Sequence, residues 1–196
     1  YKRQGFTVNG LGEPHQLREK KIIQPGLSIV LTKQLGVGAI FAADMQHKSK
    51  AEWDHEAIES MLVSNRLASE LATDFGVRSC TDITGFGLAG HLLEMIGPAV
   101  GVEVELDKIP CLPGSLEVIN GLKIRSSLHD ANKKASKLGI LQEKSEILFD
   151  PQTSGGLVFA VEKSRALEMI SSLNQKGYYH AAVIGESISE SCLIVK

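Results

Sequence analysis

A chain of 196 residues, 43% hydrophobic and 22% charged, has enough apolar material for one substantial core, or a core with a small appendage, and a second full domain is not expected. Its 21 basic and 23 acidic residues nearly cancel, which removes the basic footprint of a nonspecific nucleic-acid binder. Apolar runs are only a few residues long and Lys2-Arg3 is followed by no signal-like stretch, so no targeting or membrane segment is expected.

In chain order, Leu27-Ser28-Ile29-Val30-Leu31 reads as a strand entered through Pro25-Gly26, followed by a turn near Leu35-Gly36 and a short Ala-rich helix over Gly38 to Met45. Asp54 is placed to cap one amphipathic helix, with apolar positions Ile58, Met61, Leu62, Ala68, Leu71, Ala72 and Phe75, that ends at Gly76. A short run from Val77 to Cys80 leads into Thr81-Asp82-Ile83-Thr84-Gly85, and Leu88, Leu92, Leu93 and Met95-Ile96 predict a helix closing at Gly97-Pro98. Val102, Val104 and Leu106 alternate with acidic residues as a half-buried strand does, before Pro110 and Pro113-Gly114 break the chain.

Residues 115–144 read as loops with one or two helices. Ile147-Phe149 and Leu157-Val161 are predicted strands flanking Asp150-Pro151-Gln152-Thr153-Ser154-Gly155-Gly156. Ser164 caps a predicted helix to Gly177, and strands at Ala182-Ile184 and Cys192-Val195 finish the sheet. This order of strands and helices points to an α+β fold.

Two glycine-rich runs carry the chemistry. In Cys80-Thr81-Asp82-Ile83-Thr84-Gly85-Phe86-Gly87 a single carboxylate stands at the mouth of a glycine-rich entry into a helix. A hard cation such as Mg²⁺ takes oxygen ligands and keeps several waters, so one carboxylate plus nucleotide phosphates can complete its shell. Asp82 is the candidate ligand, although from sequence alone a helix N-cap or an Asx turn is the readier explanation of it. Thr81, Thr84, Gly85 and Gly87 can offer hydroxyls and close backbone N–H groups to a phosphate, or the glycines merely permit a turn and helix packing. Gly85-Phe86-Gly87-Leu88-Ala89-Gly90 lacks the downstream ribose-binding acid of a dinucleotide site.

His91, on the helix after the glycines, is either a general acid or, as is more often the case, a packing or capping side chain. The three cysteines, Cys80, Cys111 and Cys192, show no CxxC or metal-ligand spacing. They indicate neither a disulfide framework nor a zinc site and fit a reducing cytosol. Cys80, beside Asp82, is read as a small buried thiol in preference to a nucleophile. Gln152, Thr153 and Ser154 are read as a structural turn.

Together the two runs resemble the carboxy-terminal domain of selenophosphate synthetase, also called selenide, water dikinase, over about Gly5 to the end of the chain. Leu31-Thr32-Lys33-Gln34-Leu35-Gly36-Val37-Gly38 resembles a third segment of that family, with Gln34 and Val37 departing from its pattern. The resemblance implies a layered, mainly antiparallel sheet with helices packed on it, as in aminoimidazole ribonucleotide synthetase-like enzymes. It makes Asp82 a metal ligand, Mg²⁺ the metal, and ATP, water and selenide the substrates for selenophosphate, AMP and phosphate.

The family's reactive Cys or selenocysteine, catalytic Lys and remaining Asp ligands lie in an amino-terminal domain. The chain starts at Tyr1 and is read as a fragment. Residues 1–24 are then the end of that domain, with Gly5-Phe6-Thr7-Val8-Asn9-Gly10 as its last strand, plus a linker, and residues 25–196 are the carboxy-terminal domain. The implied partners are the missing domain and, in the whole enzyme, a second subunit; the implied location is the cytoplasm, and the fragment alone is expected to be inactive. Aminoimidazole ribonucleotide synthetase, thiamine-monophosphate kinase and a hydrogenase maturation factor share this architecture and are the enzyme alternatives. A noncatalytic interaction domain of a paralogue is the alternative of another class.

Overall fold

Pro25 and Gly26, the latter in the left-handed region at φ 84°, turn the chain into β1 (Leu27–Leu31). All five of its residues are buried because the strand sits inside the sheet with apolar layers on both faces. Ile29 and Leu31 face one core and Val30 the other, each fully buried, at roughly 1.5 to 3 kcal/mol of transfer free energy per side chain. The computed structural model describes residues 7, 9–11, 17–22, 24–139 and 142–196; of the strand expected over Gly5 to Gly10, Gly5, Phe6 and Val8 lie outside the described residues, and Thr7, Asn9 and Gly10 are not in a strand.

The remaining strands are β2 (Ser79–Asp82), β3 (Gly101–Val104), β4 (Leu157–Glu162), β5 (Ala182–Ile188) and β6 (Leu193–Val195). They form one six-stranded sheet in the order β2-β4-β1-β5-β3-β6. Every pairing is antiparallel except β3 with β6. The helices are α1 (Val37–Asp44), α2 (Ala51–Leu62), α3 (Arg66–Asp74), α4 (Gly87–Met95), α5 (His129–Ser136) and α6 (Ala166–Gln175). On one face α3 and α6 bury Ala68, Ala72, Met169 and Leu173 against Val30 and Phe159. On the other, α1 and α4 bury Ile40, Leu88 and Leu92 against Ile29 and Leu31. The result is the expected α+β architecture. Among the described residues no helix is long and apolar enough to cross a membrane.

The structure corrects several local expectations. Residues 51–75 are two helices, because Val63 is extended (φ −64°, ψ 113°) and long-range bonds hold the break open. Tyr178 Oη donates to Ser64 O (2.5 Å) and accepts from Ala68 N–H (2.9 Å), while Asn65 Nδ2 donates to Gly155 O (2.8 Å). Asp54 lies in the first turn of α2 and does not cap it. Ile58 and Leu62 are exposed, and Trp53 and Ala57 supply the buried face.

Ile147-Phe149 is the end of a 3₁₀ segment, Glu143–Phe149, and not a strand. Its three apolar side chains are buried in the α1/α4 core. Ser164 belongs to a short 3₁₀ turn, Lys163–Arg165, and gives α6 no side-chain cap.

Candidate functional site

Three runs distant in sequence meet at one corner of the sheet. Edge strand β2 ends at Asp82, paired with Leu157 of β4. Just beyond it Ile83 N–H donates to Gly156 O (2.9 Å), and Gln152 N–H donates to Thr84 O (3.0 Å). The two glycine-rich runs are therefore stitched together through their backbones. Glycine is required for this closeness, since a Cβ on Gly155 would sit 2.2 Å from Ile83 O and one on Gly156 2.7 Å from Lys33 N. The third run joins through Thr32, whose Oγ1 accepts from Leu157 N–H (2.8 Å).

The Asp150–Gly156 run also caps α1. Gly36, before the helix, offers no side-chain cap; instead Gln152 Oε1 accepts from Gly36 N–H (3.1 Å) and Val37 N–H (3.3 Å), and Asp150 Oδ2 accepts from Gly38 N–H (3.1 Å). Orphan donors at a helix start are thus satisfied from far along the chain. Gln152 Nε2 in turn donates to Asp150 O and Oδ2, both at 2.9 Å. Asp150 is fully buried with its Oδ1 unpartnered. Burial pushes its carboxyl up to about 7, against the opposing pull of Gln152 and the Ala39 and Gly38 N–H groups. Where the sequence departs from the resembling pattern the loop is still anchored: Gln34 Nε2 donates to Cys111 O (2.8 Å), and Val37 is buried in the core.

Asp82 is exposed at the strand end. Helix α4 begins after Phe86 with no side-chain cap, so Asp82 is not its N-cap. Among the described residues its carboxylate has neither a hydrogen bond nor an ion pair. Thr84 is exposed, and both its N–H and its Oγ1 lie 3.0 Å from His91 Nε2. Because Nε2 accepts the Thr84 N–H, the neutral ring carries its proton on Nδ1, which lies 3.2 Å from Glu94 Oε2 without hydrogen-bond alignment. Burial lowers the pKa of His91 more than the Glu94 and Asp82 charges raise it. His91 is a buried support for the Thr84 loop, as the packing reading expects.

Gly85 is half-buried and a Cβ there would meet only Leu128 Cδ1, at 3.7 Å; its carbonyl accepts from Asn132 Nδ2 (2.8 Å). Thr81 is buried and its hydroxyl donates to Asp82 O (3.2 Å). Gly87 is buried in the left-handed region at φ 69°, and a Cβ there would lie 2.7 Å from Leu148 O. Asp82, Thr84 and Gly85 therefore form the accessible tip, while Thr81 and Gly87 lie in the frame beneath it. Burial raises the Cys80 thiol to about 11, which leaves it a poor nucleophile at neutral pH.

Two clefts flank this corner. One, of about 560 Å³, runs from Gly85 past Arg125 and Ser126 to Thr153, with Phe41 and Met45 on its apolar side. The other, of about 230 Å³, holds Lys33 with Glu56, Glu59 and His180 on its walls. Among the described residues no group of three or more His, Cys, Asp or Glu is arranged to hold a metal ion. A hard cation at a lone carboxylate such as Asp82 would need phosphates, waters or other oxygen ligands to complete its shell. Sequence reasoning missed Asp150 and Lys33 as organisers of the corner, since the bonds that tie them into it, from Gly38 N–H to Asp150 and from Lys33 to Ser154 O, each join residues more than 100 positions apart.

Residues 24–195 match the family model described as AIR synthase related protein, C-terminal domain. The selenide, water dikinase of Caldanaerobacter subterraneus subsp. tengcongensis is 37% identical over 187 residues, covering 92% of this chain and 54% of that protein. That of Pelobacter propionicus is 34% identical over 197 residues, covering 95% and 55%. The chain therefore spans about half the length of the curated relatives it matches. Among solved structures, hydrogenase maturation protein HypE in complex with ATP superposes with TM-score 0.65 at 20% identity, over 88% of this chain and 45% of that one. Thiamine-monophosphate kinase from Stenotrophomonas maltophilia K279a superposes with TM-score 0.63 at 15% identity, over 92% and 53%.

Proposed function

The chain belongs to the AIR synthase related protein family as its C-terminal domain, and we propose that it is the carboxy-terminal part of a selenide, water dikinase. The parent makes selenophosphate from selenide, ATP and water, with release of AMP and phosphate. Residues 1–24 are the end of an amino-terminal domain and a linker, and residues 25–196 are the domain that closes the metal–nucleotide site from one side. That amino-terminal domain supplies the reactive chalcogen and the other ligands, so the 196-residue chain alone is inactive.

The observation that carries this reading is the exposed tip of Asp82, Thr84 and Gly85, bonded through the adjoining backbone to the Asp150–Gly156 run and bearing one carboxylate without a partner among the described residues. Asp82 would contribute an oxygen ligand to Mg²⁺, which when bound neutralises phosphate charge. Gly85, without a Cβ, lets a phosphate come close to the backbone. His91 fixes Thr84 by accepting from its N–H. Phosphoryl transfer depends chiefly on such positioning and charge neutralisation.

The test is selenide-dependent formation of AMP and phosphate by the full-length parent, which we expect Asp82→Asn to lower by roughly two orders of magnitude or more while the 196-residue chain shows none. Full activity in Asp82→Asn, or activity in the chain alone, would overturn the proposal.

A further inference from the structure

Lys33 belongs to the third glycine-rich run, and neither the metal nor the nucleotide reading uses it. Its residue is 5% exposed. The ammonium donates to Val63 O (2.5 Å) and Ser154 O (2.9 Å). Val63 O belongs to the broken end of α2, where helix carbonyls lack intrahelical partners and favour a cation. Ser154 is a non-glycine residue in the left-handed region at φ 49°, a conformation that persists only where its surroundings impose it. Asn65, in the same α2–α3 break, donates to the next carbonyl, Gly155 O (2.8 Å). Gly155 and Gly156 then lie directly on the backbone of Ile83, with Ile83 N–H on Gly156 O at 2.9 Å.

We propose that Lys33 is a positioning residue, a tethered cation that clamps the Ser154-Gly155-Gly156 turn onto the α2–α3 break and thereby fixes the backbone that presents Asp82. This rests on the reading of Asp82 as the ligand-bearing residue. The clamp runs from the Lys33 ammonium through Ser154 O to Gly156 O and Ile83 N, one residue from Asp82. Burial lowers the Lys33 pKa to about 8, so deprotonation weakens both charge-assisted bonds within an accessible pH range. The titratable groups facing Lys33 are Glu56 and Glu59 from α2 and Tyr178, Tyr179 and His180 from the segment after α6.

The experiment is an amide NMR comparison of the metal-free, nucleotide-free chain with Lys33→Met, which removes the charge at nearly constant length. The amides of Ser154 to Leu157 and those of Asp82 to Gly85 should shift together in the variant. As a second measurement that needs no variant to fold, both groups of amides in the unaltered chain should titrate with one shared midpoint near 8. Shifts confined to Val63–Asn65 and Ser154, with Asp82 to Gly85 unmoved by substitution and by pH, would overturn the proposal. Neither measurement involves Mg²⁺ or ATP, so a failure of the metal reading would appear separately, as an absent metal response in the unaltered chain.

Discussion

Gly85 and Gly87 stand two residues apart in one run and are predicted to respond in opposite ways to alanine. Gly87 is at φ 69°, and a Cβ there would meet Leu148 O at 2.7 Å, Phe149 C at 2.9 Å and Asp150 O at 3.1 Å. All three atoms are backbone, so no side chain can swing away. A left-handed L-residue costs about 1 to 2 kcal/mol, and forcing backbone apart in a packed region adds about 1 to 3 kcal/mol. Gly87→Ala should therefore lose roughly 2 to 5 kcal/mol, a large part of the ~5 to 15 kcal/mol that holds a typical domain together.

Gly85 has no positive φ and open space around its Cβ position, with only Leu128 Cδ1 at 3.7 Å. Gly85→Ala should stay within about 0.5 kcal/mol of the unaltered chain while weakening nucleotide binding. Urea unfolding followed by circular dichroism measures both stabilities, with equal m-values as the check on two-state behaviour. A loss in Gly87→Ala no larger than about 1 kcal/mol would mean that the run from Leu148 to Asp150 yields easily and does not frame the site.

Asp150 gives a pH signature. Its carboxyl is raised from an ordinary 3.8 to about 7 by burial, so between those values the folded chain binds more protons than the unfolded one. The stability it contributes is fully present below about pH 3.8 and is lost as the pH rises through about 7, at most about 4 kcal/mol in all. Asp150→Asn should flatten that slope in urea midpoints measured from roughly pH 4 to 8, and parallel curves would contradict it. His91 acts in the opposite direction, since burial lowers its pKa. Its share of stability is present above the ordinary histidine value of about 6.5 and is lost as the pH falls through its folded value. Ring ¹⁵N shifts should show the Nδ1–H tautomer at neutral pH, and His91→Phe should lose about 1 to 3 kcal/mol by leaving the Thr84 N–H without its acceptor. An Nε2–H ring would refute that arrangement.

Elements marked by apolar runs bounded by glycine or proline were legible in the sequence. β1, α1, α4 and β4 form where the apolar runs and their flanking glycines or prolines place them. The break between α2 and α3 was not legible, because Ser64, Asn65 and Arg66 carry no Gly or Pro, and the break is held by Tyr178, Asn65 and Lys33 through contacts distant in sequence. Ile147, Leu148 and Phe149 were misread as a strand because three consecutive buried apolar residues look alike in a strand and in a buried 3₁₀ segment. At the site, the exposed carboxylate and open glycine of the Thr81–Gly87 run could be anticipated locally. The capping of α1 by Asp150 and Gln152 could not, since it depends on a fold that joins residues 36–38 to 150–152.

The most direct measurement is a two-dimensional amide NMR titration of the chain with Mg²⁺–ATP, repeated on Asp82→Asn. If Asp82, Thr84 and Gly85 are a preformed half of a metal–nucleotide site, shifts should be confined to about Thr81 to Gly90 and the lining of the adjoining cleft, and should vanish in Asp82→Asn. Undiminished shifts in Asp82→Asn, or no response in that segment, would contradict the assignment of Asp82 as the metal-bearing residue of this chain.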